Sequence, residues 1–234
     1  MALPPSSLFR VGLSWCGRAL GELVAPRGCA SCDAPLRRSA VFCAPCAAAV
    51  ERAPKDLELW AFGLYGGPLA EALKRFKYGA RPDLQEQLGA LLAEALGPPP
   101  APDLRGWLLA PVPLDPTRLR ERGYNQAALL ASSLARRRGG DYAPSLLRRA
   151  RATPQQALLP RGLRGEGTPR VENVRAAFAL GSAQRVQGRR ILLVDDVRTS
   201  GATLEACALP LWEGGAAEVR SCVVAFARSD GGGA

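Results

Sequence analysis

The chain has 234 residues, 47% of them hydrophobic, with a formal net charge of +10 and no histidine. That length suits one domain of ordinary size, or one domain with a small appendage, and the apolar content allows a sizeable core. The missing histidine excludes a His general base, a Ser-His-Asp triad and any His metal ligand.

Lys55, Lys74 and Lys77 are the only lysines, so arginine carries nearly all the positive charge. Two readings fit: a compositional bias toward arginine, or an anionic partner such as phosphate or nucleic acid. Residues 1–26 are mildly apolar but interrupted by Arg10, Arg18 and Glu22. They are too broken for a membrane span and make a poor signal peptide. We expect an amphipathic lead-in helix, a cytoplasmic protein and no stable membrane insertion.

Two knuckles follow, "CASC" (Cys29, Cys32) and "CAPC" (Cys43, Cys46). Two CxxC turns brought together supply four thiolates, a tetrahedral set for Zn²⁺. Gly28, Asp33, Pro35 and Pro45 stand where such turns need them. A pair of disulfides is the alternative, but it suits an oxidising compartment. Four cysteines leave no open coordination position, so the zinc is expected to be structural. Cys16, Cys207 and Cys222 have apolar neighbours and read as small core residues.

Residues 47–56 read as a short helix and linker. "WAFGLYGG" (60–67) reads as a strand ending in a turn. Residues 68–80 have Leu69, Ala72, Leu73 and Phe76 at helical spacing, with Lys74, Arg75 and Lys77 mostly on other faces. Those cations make a solvated face or part of a basic surface. Residues 81–97 read as a second helix, with Asp83 placed to cap it. "GWLLAPVP" (106–113) is a buried strand. Residues 122–140 form an amphipathic helix, in which Tyr124, Asn125 and Gln126 either contact a ligand or cap the helix. Residues 143–150 are a strand, and 153–173 a long mobile loop. Strands at 176–180, 190–197 and 219–228 surround a helix at 203–215, where Pro210 predicts a kink. Strands alternating with helices, with near-continuous apolar runs, indicate an α/β domain with a mostly parallel sheet.

"ILLVDDVRTSGAT" (191–203) is the most informative string. Asp195 and Asp196 end a strand, where ligands bind in an open parallel sheet. Arg198, Thr199, Ser200, Gly201, Ala202 and Thr203 then form a turn at a helix N-terminus, which suits a phosphate. Carboxylates accept hydrogen bonds from hydroxyls. The two in succession fit one ligand, a ribose 5-phosphate unit. A strand closed by capping aspartates and a Thr/Ser-rich turn is the plainer alternative for the residues alone.

The string resembles the phosphoribosyl-pyrophosphate (PRPP) motif of type I phosphoribosyltransferases. "FKYGARPDL" (76–84), "PVPLDPTRLRERGYNQA" (111–127), "RATPQQALLPRGLRGEGTPRVENVRAAFAL" (151–180) and the PRPP-type motif follow a four-Cys module in that order. Together they resemble the ComF family, whose founding members serve DNA uptake in naturally competent bacteria. The resemblance spans Cys29 to Phe226. It implies a type I phosphoribosyltransferase-like parallel sheet flanked by helices, with a small hood and an N-terminal zinc ribbon. The expected division is lead-in (1–26), zinc module (27–50), hood (57–105), core (106–228) and tail (229–234).

By that resemblance Asp195 and Asp196 hold the ribose hydroxyls, and residues 199–203 the 5-phosphate. Arg118, then Arg122, are candidates for pyrophosphate, although solvated helix-start arginines fit as well. Thr153, Gln156, Arg161 and Arg164 are candidates on a loop that closes over PRPP. Mg²⁺ is expected with PRPP, with no all-protein cage. Two functions stay open: a phosphoribosyltransferase with an unknown acceptor, or a protein gripping single-stranded DNA with the same fold. Aromatics are only 6% of the chain, and no aromatic–basic interleaving marks a base-stacking platform. Other DNA-uptake proteins are expected partners.

Overall fold

The computed structural model describes residues 28–36, 40–55, 58–97, 103–150, 177–181 and 186–228. The expected lead-in helix with Cys16, the loop residues Thr153, Gln156, Arg161 and Arg164, and the tail lie outside them.

Helix α1 (Ala44–Ala48) carries the second knuckle's last cysteine. It starts earlier than the spacing suggests, because Pro45 fixes its first turn. Strand β1 (Trp60–Leu64), helix α2 (Gly67–Tyr78), a 3₁₀ turn (Pro82–Leu84) and helix α3 (Gln85–Ala95) follow. Asp83 caps neither helix. The Arg81 guanidinium takes its carboxylate in a two-pronged bond instead. Strand β2 (Trp107–Pro111) leads to two helices rather than one, α4 (Pro116–Arg122) and α5 (Gln126–Arg138). The break falls at Gly123, whose φ of 76° closes α4 in the left-handed region. Asn125 then starts α5, its Oδ1 accepting from the Ala127 and Ala128 N–H groups.

Strands β3 (Asp141–Tyr142), β4 (Leu147–Arg149), β5 (Phe178–Leu180), β6 (Arg190–Arg198) and β7 (Glu218–Phe226) complete the fold, with helix α6 (Ala202–Glu213) between β6 and β7. Helix α6 runs on through Pro210 to Glu213. The main sheet has the order β1-β7-β6-β2-β3, every pair parallel. β4 and β5 form a separate antiparallel ribbon, because Leu147 pairs with Leu180 and Arg149 with Phe178.

Helices cover both faces of the sheet, so its central strands are apolar on both sides. Side chains alternate in β6. Leu192 and Val194 join the core under α2, α3 and α5, with Leu73, Leu88 and Leu134. Ile191 and Leu193 join the opposite core, with Leu204, Cys207 and Leu211 of α6. Burying each such side chain contributes roughly 1.5–3 kcal/mol. Cys207 and Cys222 are fully buried, and burial pushes both thiols up. The α3–α5 contact is also tied by charge. Arg136 and Arg137 both reach Glu86, and Arg138 holds the Ala93 and Gly97 carbonyls at the end of α3.

The four-cysteine knuckle packs on the same core through Cys29, Ala30 and Phe42. Three side chains from α2 to α3 fasten it. Arg75 donates to the Ala30 and Ser31 carbonyls and to Asp33. Arg81 reaches Asp33 at 3.1 Å. Gln87 donates to the Gly28 carbonyl at 3.1 Å.

Candidate functional site

The chain leaving β2 travels to β3, whereas the chain leaving β6 travels to β7 on the other side. The space between the C-terminal ends of β2 and β6 is therefore a topological switch point, where open parallel sheets bind ligands. A cleft of about 860 Å³ lies there.

Each wall has its own source. From β6 and the turn after it come Asp195, Asp196, Thr199 and Thr203. From the chain after β2 come Val112 to Asp115, Arg118, Arg122 and Gln126. Tyr65, Lys77 and Tyr78 enter from β1 and α2, and Arg149 from β4. The cleft thus brings Asp195, Asp196, Thr199, Thr203, Arg118 and Arg122 together from residues far apart in the chain.

The two aspartates do not point the same way. Asp195 continues the row of Ile191 and Leu193, toward α6; Asp196 continues the row of Leu192 and Val194, toward α2. Asp196 is 6% exposed, and the Lys77 ammonium lies 2.8 Å from its Oδ2. The Asp195 Oδ1 accepts from the Asp196 N–H at 2.8 Å. Burial, and then the neighbouring Asp196 charge, hold the Asp195 carboxyl well above the usual range.

The turn after β6 ends on Gly201, with φ 89°. A side chain there would crowd the Arg198 guanidinium and the Glu205 carboxylate. Arg198 itself lies over the Phe226 ring, 5.2 Å from its centre. Thr199, Ser200, Ala202 and Thr203 are exposed at the helix start, and Gly201 is buried.

After β2, Asp115 caps α4 by accepting from Thr117 N–H at 2.9 Å and pairs with Arg149 at 3.0 Å. Burial works to raise its carboxyl, but the Thr117 and Arg118 N–H groups and Arg149 prevail and hold it low. Asn125 Nδ2 donates to the Val112 carbonyl at 3.0 Å, which pins the start of α5 to the end of β2. The Arg122 guanidinium stacks on the Tyr78 ring at 4.8 Å. Tyr124 donates to the Phe76 carbonyl at the end of α2. Of the three polar residues before α5, Asn125 caps, Tyr124 ties α2, and Gln126 faces the cleft.

Sequence left Gln126 open between ligand contact and helix cap, read Lys77 only as part of a solvated or basic face, and did not name Arg149. Gln126 lies in the "RGYNQA" string, and Arg149 borders the loop segment. Lys77 directly follows Phe76 on a helix, and nothing local separates it from a solvated face.

The four knuckle sulfurs lie within 4.8 Å of one another. Cys32 Sγ is 3.7 Å from Cys43 Sγ and 3.8 Å from Cys46 Sγ. Tetrahedral Zn–S bonds of about 2.3 Å give a sulfur–sulfur edge of about 3.8 Å, so the donor set fits. Burial raises the Cys29 thiol, yet backbone N–H groups of Cys43, Cys32 and Ser31 outweigh it and bring it down to about 6. A thiol so placed is ready to ligate as thiolate. No helix among the described residues is long and apolar enough to cross a membrane.

A family model described as phosphoribosyl transferase domain matches residues 162–232. The chain is 31% identical over 219 residues to the DNA utilization protein YhgH of Salmonella typhimurium, covering 92% of this chain and 91% of that protein. It is 30% identical over 199 residues to competence protein F of Haemophilus influenzae, covering 82% and 81%. Among solved structures, a glutamine PRPP amidotransferase from B. subtilis aligns at 21% identity and a TM-score of 0.40, over 63% of this chain and 30% of that one. The order of motifs and these relatives agree: the chain belongs to the ComF family, the family of YhgH and competence protein F, and carries a phosphoribosyltransferase-type domain.

Proposed function

We propose that the cleft binds PRPP with Mg²⁺, or another ligand built on ribose 5-phosphate, and that the protein transfers a phosphoribosyl group to an acceptor within DNA uptake. One observation carries this reading: two carboxylates and a hydroxyl-rich helix start meet at the switch point of a parallel sheet. The carboxylates Asp195 and Asp196 accept from the ribose hydroxyls. Thr199, Thr203 and the free N–H groups of the α6 start receive the 5-phosphate. Arg118 offers a guanidinium fork to the diphosphate.

The reaction breaks the bond between the anomeric carbon and a diphosphate oxygen, and forms one from that carbon to the acceptor. The bonding electrons leave with the diphosphate. Guanidinium groups nearby stabilise the charge that develops on it. Among the described residues the four cysteines are the one metal-ligating cluster. Mg²⁺ would come to the cleft with the ligand's phosphates and would supply charge neutralisation there. Cys29, Cys32, Cys43 and Cys46 would hold a structural zinc.

Calorimetry with PRPP and Mg²⁺ tests the reading. Binding is expected for the wild-type chain, with loss for the Asp195→Asn, Asp196→Asn double variant; equal affinity in both would end the ribose assignment.

A second reading has support from the relatives, which are named for DNA utilization and competence. In it the cleft grips the sugar–phosphate backbone of single-stranded DNA without transfer. Exposed Tyr65 and Tyr78 at the cleft would then stack bases. Release of diphosphate in the presence of an acceptor distinguishes the two.

A further inference from the structure

Three buried side-chain atoms among the described residues have no hydrogen-bond partner within the protein: Gln126 Nε2, Arg149 Nε and Asp196 Oδ2. Buried polar atoms are seldom left this way. All three residues line the same cleft. Asp196 has its ion pair with Lys77; the other two atoms are donors.

Gln126 is 3% exposed. Its Oε1 accepts from Arg122 Nη1 at 3.2 Å. A guanidinium only donates, so the amide oxygen must face Arg122 and the NH₂ must face away from it. Arg122 is itself fixed on the Tyr78 ring. It thus orients Gln126, and the amide NH₂ is left as the unpaired donor at the cleft wall. Arg149 is held in a similar way. Its Nη1 bonds Asp115 at 3.0 Å and its plane lies over Phe178, 5.3 Å from the ring centre, which leaves Nε unpaired.

Gln126 starts α5 on the chain that runs on from β2, and Arg149 ends β4, whose ribbon packs against α6; both line the cleft together with the α6 start. The α6 start already offers a site for one phosphate. Two further donors, with no acceptor of their own left over, suit a second oxygen-rich anionic group on the same ligand.

We infer that Gln126 and Arg149 bind the diphosphate arm of the ligand, with Arg122 a positioning residue that aims the Gln126 amide. The two donors then discriminate a diphosphate-bearing sugar from ribose 5-phosphate. This rests on the reading of the cleft as a PRPP site.

The test uses the full chain, with Gln126→Met and Arg149→Lys. Methionine keeps the volume of Gln126 and removes both amide groups; lysine keeps a cation beside Asp115 and removes Nε. Calorimetry with Mg²⁺ plus inorganic pyrophosphate, PRPP or ribose 5-phosphate gives the readout. Each variant is expected to lose on the order of tenfold affinity for pyrophosphate and PRPP, the effect of a lost charge-assisted hydrogen bond, and none for ribose 5-phosphate. The ligand-free melting temperature of Gln126→Met is expected to be unchanged or higher, because an unpaired buried donor is removed. Unchanged pyrophosphate affinity, equal losses for all three ligands, or a wild-type chain that does not bind pyrophosphate would overturn the assignment. If Gln126→Met weakens pyrophosphate while the Asp195, Asp196 double variant still binds PRPP, the ribose reading fails and this one stands.

Discussion

The Lys77 ammonium lies 2.8 Å from Asp196 Oδ2, joining the end of α2 to the end of β6 inside the cleft. Two residues earlier on the same helix, Arg75 holds the knuckle carbonyls. Asp196 is almost wholly buried, so its charge is neutralised by a partner rather than by water. Lys77→Met leaves that carboxylate unpaired. The expected cost is about 3 kcal/mol, the low end for a buried pair, since Lys77 keeps some contact with water. Adding Asp196→Asn should recover part of it. Thermal melts of the four-member mutant cycle measure this; a Lys77→Met protein as stable as wild type would show that the pair contributes nothing.

Asp195 predicts a pH effect of definite sign. Burial and the Asp196 charge raise its carboxyl in the folded protein above its value in the unfolded chain. The folded state then binds more protons there. The stability this gives is complete below the ordinary carboxylate range and is lost as pH rises through the raised value. Asp195→Asn keeps an oxygen for the Asp196 N–H and removes the charge. At neutral pH the variant is expected to melt higher than wild type, with the gap closing on acidification. A gap that widens toward acid would contradict the raised carboxyl.

The carboxylate string and its helix start were legible because they are contiguous: strand, acids, turn and helix follow within thirteen residues (191–203). The parallel α/β class was legible in the continuous apolar runs. Lys77 was not, because only the α2–β6 packing sets it against Asp196. Asp83 looked like a cap because caps are read from local spacing, and Arg81 two residues away offered it a stronger bond. Residues 122–140 hold the one helix their apolar spacing predicts, α5, starting at Gln126; α4 before Gly123 buries no residue and so left no apolar period to read. Arg136 to Arg138 add to the basic charge, yet they serve the α3–α5 contact.

Metal analysis is expected to give one zinc per chain, lost in Cys43→Ser. The knuckle has few residues of its own core, so the metal supplies its folding energy. Removing it should free Arg75, Arg81 and Gln87 from their knuckle partners, and the melting temperature should fall. Chelation that leaves both the melt and the PRPP affinity unchanged would mean the knuckle stands without metal.

Charge at the cleft and charge elsewhere should separate in nucleic-acid binding. A single-stranded oligonucleotide gripped in the cleft must compete with PRPP, and its affinity should fall with salt by a log–log slope of about −0.7 per neutralised phosphate. Arg118→Met removes a cleft guanidinium and is expected to lower that slope by roughly one phosphate's worth. Arg136→Met removes a charge that already faces Glu86, and should weaken the α3–α5 contact while leaving the slope unchanged. Equal slopes for wild type and Arg118→Met, or oligonucleotide binding indifferent to saturating PRPP, would place the DNA on another surface and leave the cleft to the sugar phosphate alone.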